Sequence, residues 1–256
     1  MARMMLTQSL SGLSVFSCHS FQSIPKISSL KIYKFQLSSS HKSTCSSTLT
    51  ETKMSKERKL PIFLFDIMDT IVRDPFYEDI PAFFGLSMKE LLKVKHPTAW
   101  IEFEKGIITE EELAAKFFRD GRIFDFDGLK QCMRNGYAYL DGIECILHQL
   151  KSNGYEIHAF TNYPCWYMMI EEKLKLSTYL SWTFSSCNTG KRKPEIEAYS
   201  EVTKQLGLPP SSCIFVDDRL VNVEAARKIG MDAILFENAS KLEQSIIFLG
   251  VQMSNP

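Results

Sequence analysis

The sequence predicts an α/β fold, a doubly wound parallel sheet with a small helical insertion after its first strand. Two observations predict it. Five short apolar runs (LPIFLFD, YEIHAFTN, SWTFSS, CIFVDD and MDAILF) have the length and composition of strands buried on both faces. Amphipathic stretches alternate with them, among them YPCWYMMIEEKLKL, EIEAYSEVTKQLGL and LVNVEAARKIG, the last two closed by glycine or proline. Strands alternating with helices imply βαβ units and an open sheet that binds its ligand at the carboxyl ends of the strands.

The elements follow in chain order. The first run ends in Asp66, the second in Thr161 and the fourth in Asp217 and Asp218, so polar residues gather at the edge where function is expected. Between the first and second runs the alternation stops. From about Asp74 to Gly136 the pattern is helical throughout, and TEEEL has the form of a helix start, with Thr109 as N-cap and acids in the first turn. An insertion of about 60 residues is too long for a plain loop and reads as a small helical domain of its own. The expected organisation is therefore a catalytic core at 60–73 and 137–256 with a helical cap at 74–136.

Residues 1–55 are a different polymer. Glu51 is the first acid, serine is heavily used, and the only basic side chains among the first fifty residues, histidine aside, are Arg3, Lys26, Lys31, Lys34 and Lys42. Acid-poor, serine-rich, weakly basic leaders are typical of organellar transit peptides. A secretory signal needs a compact apolar core, and a mitochondrial presequence is usually richer in arginine. The expectation is a disordered chloroplast transit peptide cleaved between Thr44 and Lys59, which would deliver the protein to the stroma; an unaddressed disordered tail is the alternative.

Composition narrows the function. Thirty basic and thirty acidic residues give no net charge, hence no basic footprint for nucleic acid. No apolar run approaches the roughly 20 residues of a membrane span. The seven cysteines form no CxxC pair, and the expectation for them is small buried hydrophobes in a reducing compartment. Oligomeric state is not legible.

Four segments carry chemistry. FLFDIMDTIV sets Asp66 at a strand end with Thr70 four positions on, and HAFTN sets Thr161 at the next strand end, followed by Asn162. GKRKPEIEAY offers Lys193 before a proline-started helix, and FVDDRLVNVEAARKIGM brings Asp217, Asp218 and Asn222 after a buried strand. Singly each has a bland reading as a helix cap, a turn or a solvated charge. All four in order along one sheet edge do not.

In these motifs the chain resembles the haloacid-dehalogenase-like hydrolase superfamily, from Leu60 to about Glu237, and its insertion resembles that family's small helical cap. As a whole it is similar to the plant chloroplast hydrolases of flavin mononucleotide (FMN), including in FDIMDTIVRDPFY. The resemblance implies that Asp66 attacks phosphorus to form an aspartyl-phosphate. It implies Mg²⁺ held by Asp66, the main-chain carbonyl of Met68 and Asp218. Lys193, positioned by Asp217, would neutralise the phosphoryl oxygens, with Thr161 and Asn162 beside it. FMN is then the favoured small phosphorylated substrate. Tyr163 and Trp166, just past Thr161, are the aromatic residues expected beside the site, and Phe76, Tyr77, Trp100, Phe103, Phe117 and Phe118 of the insertion could stack on a flavin or pack as core.

One position departs from the family pattern. Its phosphatases carry an acid two residues after the nucleophile, and here that residue is Met68. A general acid is worth about 10²–10⁴ in rate. Asp69 is the nearest substitute, provided the loop turns it inward. Two rival readings accommodate Met68: a metal-free dehalogenase using Asp66, and a non-catalytic binder of phosphorylated ligands.

Overall fold

A computed structural model describes residues 58–253. The expected transit peptide, with Cys18 and Cys45, lies outside the described residues. Strand β1 (Ile62–Phe65) is followed by five short helices, α1 (Asp79–Phe83), α2 (Met88–Val94), α3 (Ala99–Glu104), α4 (Glu110–Lys116) and α5 (Phe126–Gly136). The chain then runs α6 (Ile143–Ser152), β2 (Ile157–Thr161), α7 (Tyr167–Leu174), β3 (Ser181–Ser185), α8 (Ser186–Thr189) and α9 (Ile196–Leu206). It closes with β4 (Cys213–Asp217), α10 (Leu220–Lys228), β5 (Asp232–Leu235) and α11 (Ala239–Phe248). Each of the five apolar runs contains a strand.

All strand pairings are parallel, in the order β3-β2-β1-β4-β5. The chain builds outward from β1 through β2 to β3, then returns to the other side of β1 for β4 and β5. That reversal puts a topological switch point between β1 and β4, where doubly wound sheets bind their ligands. Asp66 follows one of these strands, and Asp217 ends the other.

Central strands are buried along their whole length, whereas the edge strands β3 and β5 are partly open. Alternation sorts the side chains between two layers. Ile62, Leu64, Phe160, Cys213 and Phe215 pack under Ala198, Tyr199 and Val202 of α9 and Ala225 and Ala226 of α10. Phe63, Phe65, Ile157, Ala159, Ile214 and Val216 face the opposite layer. That layer includes α6, α7 and α11, and it runs without a break into Ile80, Leu91, Phe103, Leu113 and Met133 of the inserted helices. The insertion therefore shares one apolar cluster with the sheet.

The insertion leaves and re-enters the core through a single neck. Val72 forms an antiparallel bridge with Tyr139, Arg73 N donates to Ala138 O at 2.9 Å, and Leu140 N donates to Ile71 O at 2.9 Å. Helix α4 starts where the sequence indicates: Thr109 Oγ1 accepts from Glu112 N while Glu112 returns a bond to Thr109 N, a closed capping box. Phe117, Phe118, Phe124 and Phe84 form a cluster of tilted and edge-to-face contacts, so Phe117 and Phe118 are core of the insertion.

The cysteine expectation needs correction. Among the described residues only Cys213, inside β4, is buried; Cys132 and Cys187 are half-buried, and Cys145 and Cys165 are exposed. All five are free thiols. Among the described residues no helix is long and apolar enough to cross a membrane.

Candidate active site

Lys193 is the centre of the site. It sits in the loop between α8 and α9, is 1% exposed, and its ammonium has three acceptors. Nζ donates to Asp66 Oδ1 at 2.8 Å, Asp217 Oδ2 at 2.7 Å and Phe160 O at 2.6 Å. Burial works against the charged form, and the carboxylates of Asp217 and Asp66 more than offset it, leaving the Lys193 pKa raised. Asp66 shows the reciprocal balance. Burial raises its pKa, Lys193 opposes the rise, and the nearby Asp217 carboxylate adds to it.

Each partner is itself held. Asn162 clamps the Lys193 main chain, its Oδ1 accepting from Lys193 N and its Nδ2 donating to Lys193 O, both at 2.8 Å. Its amide thus orients the lysine loop, a task the sequence does not announce. Asp217 is fully buried; beyond Lys193 it accepts from Asn222 Nδ2 at 3.0 Å and Arg219 N at 2.8 Å. Thr70 is also buried, and its Oγ1 accepts from Asp218 N at 3.1 Å, tying the loop after β1 to the loop after β4.

Asp66, Asn162, Lys193, Asp218, Arg219 and Asn222 line one cavity with Met68, Asp69, Asp74, Phe76, Tyr77, Trp100, Thr161 and Tyr163. Within it Thr161 Oγ1 is buried without a hydrogen-bond partner among the described residues. A buried hydroxyl left unpaired costs about 1–3 kcal/mol. A ligand oxygen would relieve that cost.

Carboxylate oxygens of Asp66, Asp217 and Asp218 lie within 4.8 Å of one another. Such hard, anionic oxygens fit a small divalent cation. Asp217 is already committed to Lys193 and Asn222, which leaves Asp66 and Asp218 as the carboxylates for it.

One expected neighbour goes elsewhere. Trp166 does not line the cavity. Its indole is buried, Nε1 donates to Glu110 Oε1 at 2.7 Å, and its ring packs on Trp100, Phe103 and Phe126. It fastens the inserted helices to the core. Tyr163 does line the cavity, but its hydroxyl is spent on Tyr137 at 2.8 Å. Asp69 has a left-handed φ of 55°, which aspartate tolerates better than most residues, and its Oδ1 accepts from Asp74 N at 3.1 Å.

Four cavity residues escape a reading of the motifs: Asp74, Glu104, Arg192 and Arg219. Arg192 Nε donates to Glu104 Oε2 at 2.8 Å. Burial raises the Glu104 pKa and Arg192 opposes the rise. Arg192 had a signal, since it directly precedes Lys193; Glu104, set among other charges in a short helix, had none.

A five-stranded parallel sheet with this cluster at its switch point defines a doubly wound α/β protein with an acidic site at the carboxyl ends of its strands. The family model of haloacid dehalogenase-like hydrolases matches residues 61–230, and the chain belongs to that family. It is 59% identical over 214 residues to the chloroplastic flavin mononucleotide hydrolase 1 of Arabidopsis thaliana, covering 84% of this chain and 87% of that protein. It is 31% identical to phosphoglycolate phosphatase 1 of Pseudomonas aeruginosa, over 68% of each chain. A HAD-like hydrolase from Porphyromonas gingivalis superposes with a TM-score of 0.61 at 18% identity, over 76% of this chain and 99% of that one. These comparisons bear out the resemblance seen in the motifs, and the last bears out the fold.

Proposed function

We propose that this hydrolase of phosphoric monoesters acts on FMN, releasing riboflavin and phosphate, in the chloroplast stroma. The observation that carries the reading is the mixed lining of one cavity. Asp66, Lys193, Asp218 and the unpaired Thr161 hydroxyl line it together with the aromatic rings of Phe76, Tyr77 and Trp100. A phosphate ester of a flat aromatic ring system suits both kinds of group. The 59% identity to the Arabidopsis enzyme supports the same substrate and the same compartment.

In this reading Asp66 attacks phosphorus and forms an aspartyl-phosphate, which water then hydrolyses. Lys193 neutralises the phosphoryl oxygens and holds Asp66 in line, with Asp217 and Asn162 fixing the lysine from behind. The Thr161 hydroxyl donates to a phosphoryl oxygen, a preorganised donor that need not reorient at the moment of reaction. Mg²⁺ would be held by Asp66, the Met68 carbonyl and Asp218, and it would screen the repulsion between carboxylate and phosphate dianion. The helices of residues 74–136 act as a cap over the site, to which they bring Phe76, Tyr77 and Trp100.

Purified protein incubated with FMN, with and without Mg²⁺, tests the proposal. The expected result is equal release of riboflavin and phosphate that stops in EDTA. No phosphate release from FMN in the presence of Mg²⁺ would overturn it.

A further inference from the structure

Met68 lines the cavity where other phosphatases of the family carry an acid, and a thioether has no proton to give. The flavin's ribityl oxygen is an alkoxide leaving group and needs one. Asp69 lines the cavity too, with its Oδ1 accepting from Asp74 N, and is the rival candidate.

Asp74 is placed differently. It stands just past the neck, where the chain leaves the core for the inserted helices, and it lines the same cavity as Asp66, Thr161 and Lys193. Its carboxyl is fixed in direction, since Oδ1 accepts from Phe76 N at 2.9 Å, two residues on. The groups that bear on it come from every side. They are Asp66 and Asp69 from the loop after β1, Tyr77 from its own segment, Glu104 from α3, Tyr137 after α5 and Tyr163 after β2.

We infer that Asp74 is the general acid and then the general base of this reaction, in place of the aspartate that Met68 replaces. The inference rests on the phosphatase reading above. As the Asp66 oxygen bonds to phosphorus, the bond from phosphorus to the ester oxygen breaks. Its electron pair stays on that oxygen, which takes the proton from Asp74 and leaves as an alcohol. The Asp74 carboxylate then takes a proton from water as the water oxygen bonds to phosphorus and releases Asp66. The sum is ester plus water to alcohol plus phosphate, with Asp66 and Asp74 restored. Protonation is favourable near neutrality: burial, then the carboxylates of Asp69, Asp66 and Glu104, outweigh the Phe76 N–H and push the Asp74 pKa to about 7.

The experiment compares first-turnover rates of the wild type, Asp74→Asn, Asp74→Glu and Asp69→Asn on FMN and on p-nitrophenyl phosphate, whose nitrophenolate leaves without a proton. Asparagine keeps the acceptor for Phe76 N, so the turn survives. Expected for Asp74→Asn is a loss of riboflavin release of at least about 10²-fold, with nitrophenolate release falling less than about tenfold for want of any acid role. Nitrophenolate should then appear as a burst, because the aspartyl-phosphate waits for its base. Wild-type riboflavin release should decline above about pH 7, as Asp74 ionises. Asp74→Asn should flatten that decline, and Asp74→Glu should keep it. Equal losses on both substrates would reveal a structural role and overturn the inference, as would no loss. Asp69→Asn showing the leaving-group dependence instead would move the acid to Asp69. A wild type inactive on both esters overturns the phosphatase reading and this inference together.

Discussion

Glu104 and Arg192 meet across the cavity, Oε2 of the first accepting from Nε of the second at 2.8 Å, and they join α3 to the loop that carries Lys193. Breaking the pair from one side strands a carboxylate whose side chain is 9% exposed. Arg192→Gln should therefore cost about 1–3 kcal/mol. The loss of Tm should be larger at pH 8 than at pH 5. Burial already raises Glu104, so without Arg192 the folded state takes up a proton on acidification and recovers part of the loss. The KM for FMN should rise as well, since one wall of the cavity is no longer held. A Tm loss independent of pH would refute the account.

Asp66→Asn should leave the far-ultraviolet spectrum unchanged and abolish turnover. Lys193 keeps Asp217 and Phe160 O as acceptors, and the amide retains the size of the carboxyl group. Acid quench of the wild type during turnover should trap phosphate on the protein, and the variant should trap none. Activity above a few per cent of wild type would remove Asp66 from the role of nucleophile.

For the cation, Asp218→Asn should raise the Mg²⁺ concentration for half-maximal activity by tenfold or more, as expected when one of two carboxylate ligands becomes neutral. EDTA should silence the wild type, and added Mg²⁺ should restore it. Full activity in EDTA would favour the metal-free reading.

Asp74 makes a prediction about stability alone. Its folded pKa, about 7, lies above the ordinary value, so the folded state binds the extra proton between about pH 4 and pH 7. A raised carboxyl contributes stability at low pH and loses it as pH rises through that window. Asp74→Asn removes the cost of ionising the group. It should raise Tm at pH 8 and leave it nearly unchanged at pH 4, with each kcal/mol worth about 2–4 °C in a chain this size. Differential scanning fluorimetry at both pH values reads the difference, and equal shifts would contradict it.

Met68→Asp should restore the usual acid. Alone it should change FMN turnover little, because Asp74 already supplies the proton. Combined with Asp74→Asn it should recover at least tenfold of the lost rate, within the range a general acid provides. Absence of rescue in the double variant would mean that the loop cannot present an acid at residue 68.

Strands and helix starts were legible because their signals are local: apolar runs, glycine ends, and a capping threonine three residues before an acid. Asp66, Thr161, Lys193 and Asp218 were legible because each follows or ends an element at the same sheet edge. Side-chain direction was not. Trp166 stands five residues beyond Thr161, yet it turns toward Glu110 and away from the cavity. Glu104 resembles a solvated charge until α3 docks on the core, where Ser186 Oγ donates to Glu104 O at 2.5 Å and Arg192 reaches its carboxylate. Asn162 likewise gains its clamp only when the Lys193 loop, thirty-one positions away, folds over it. Long-range docking decides these three, and no local pattern encodes it.

The neck at Val72 and Tyr139 has a consequence for how such a protein can change over generations. Its two ends are already bridged, so whatever lies between them closes a loop whose entropic cost grows by only about 0.6 kcal/mol for each doubling of length. Helices can be lengthened or exchanged there without touching the hydrogen bonds of Lys193, provided the replacements cover the same apolar face of the sheet. Choice of ester and the chemistry that cleaves it are thereby heritable as nearly separate traits. Asp74 and Glu104 are the exceptions, the two places where a borrowed insert would have to bring its own chemistry.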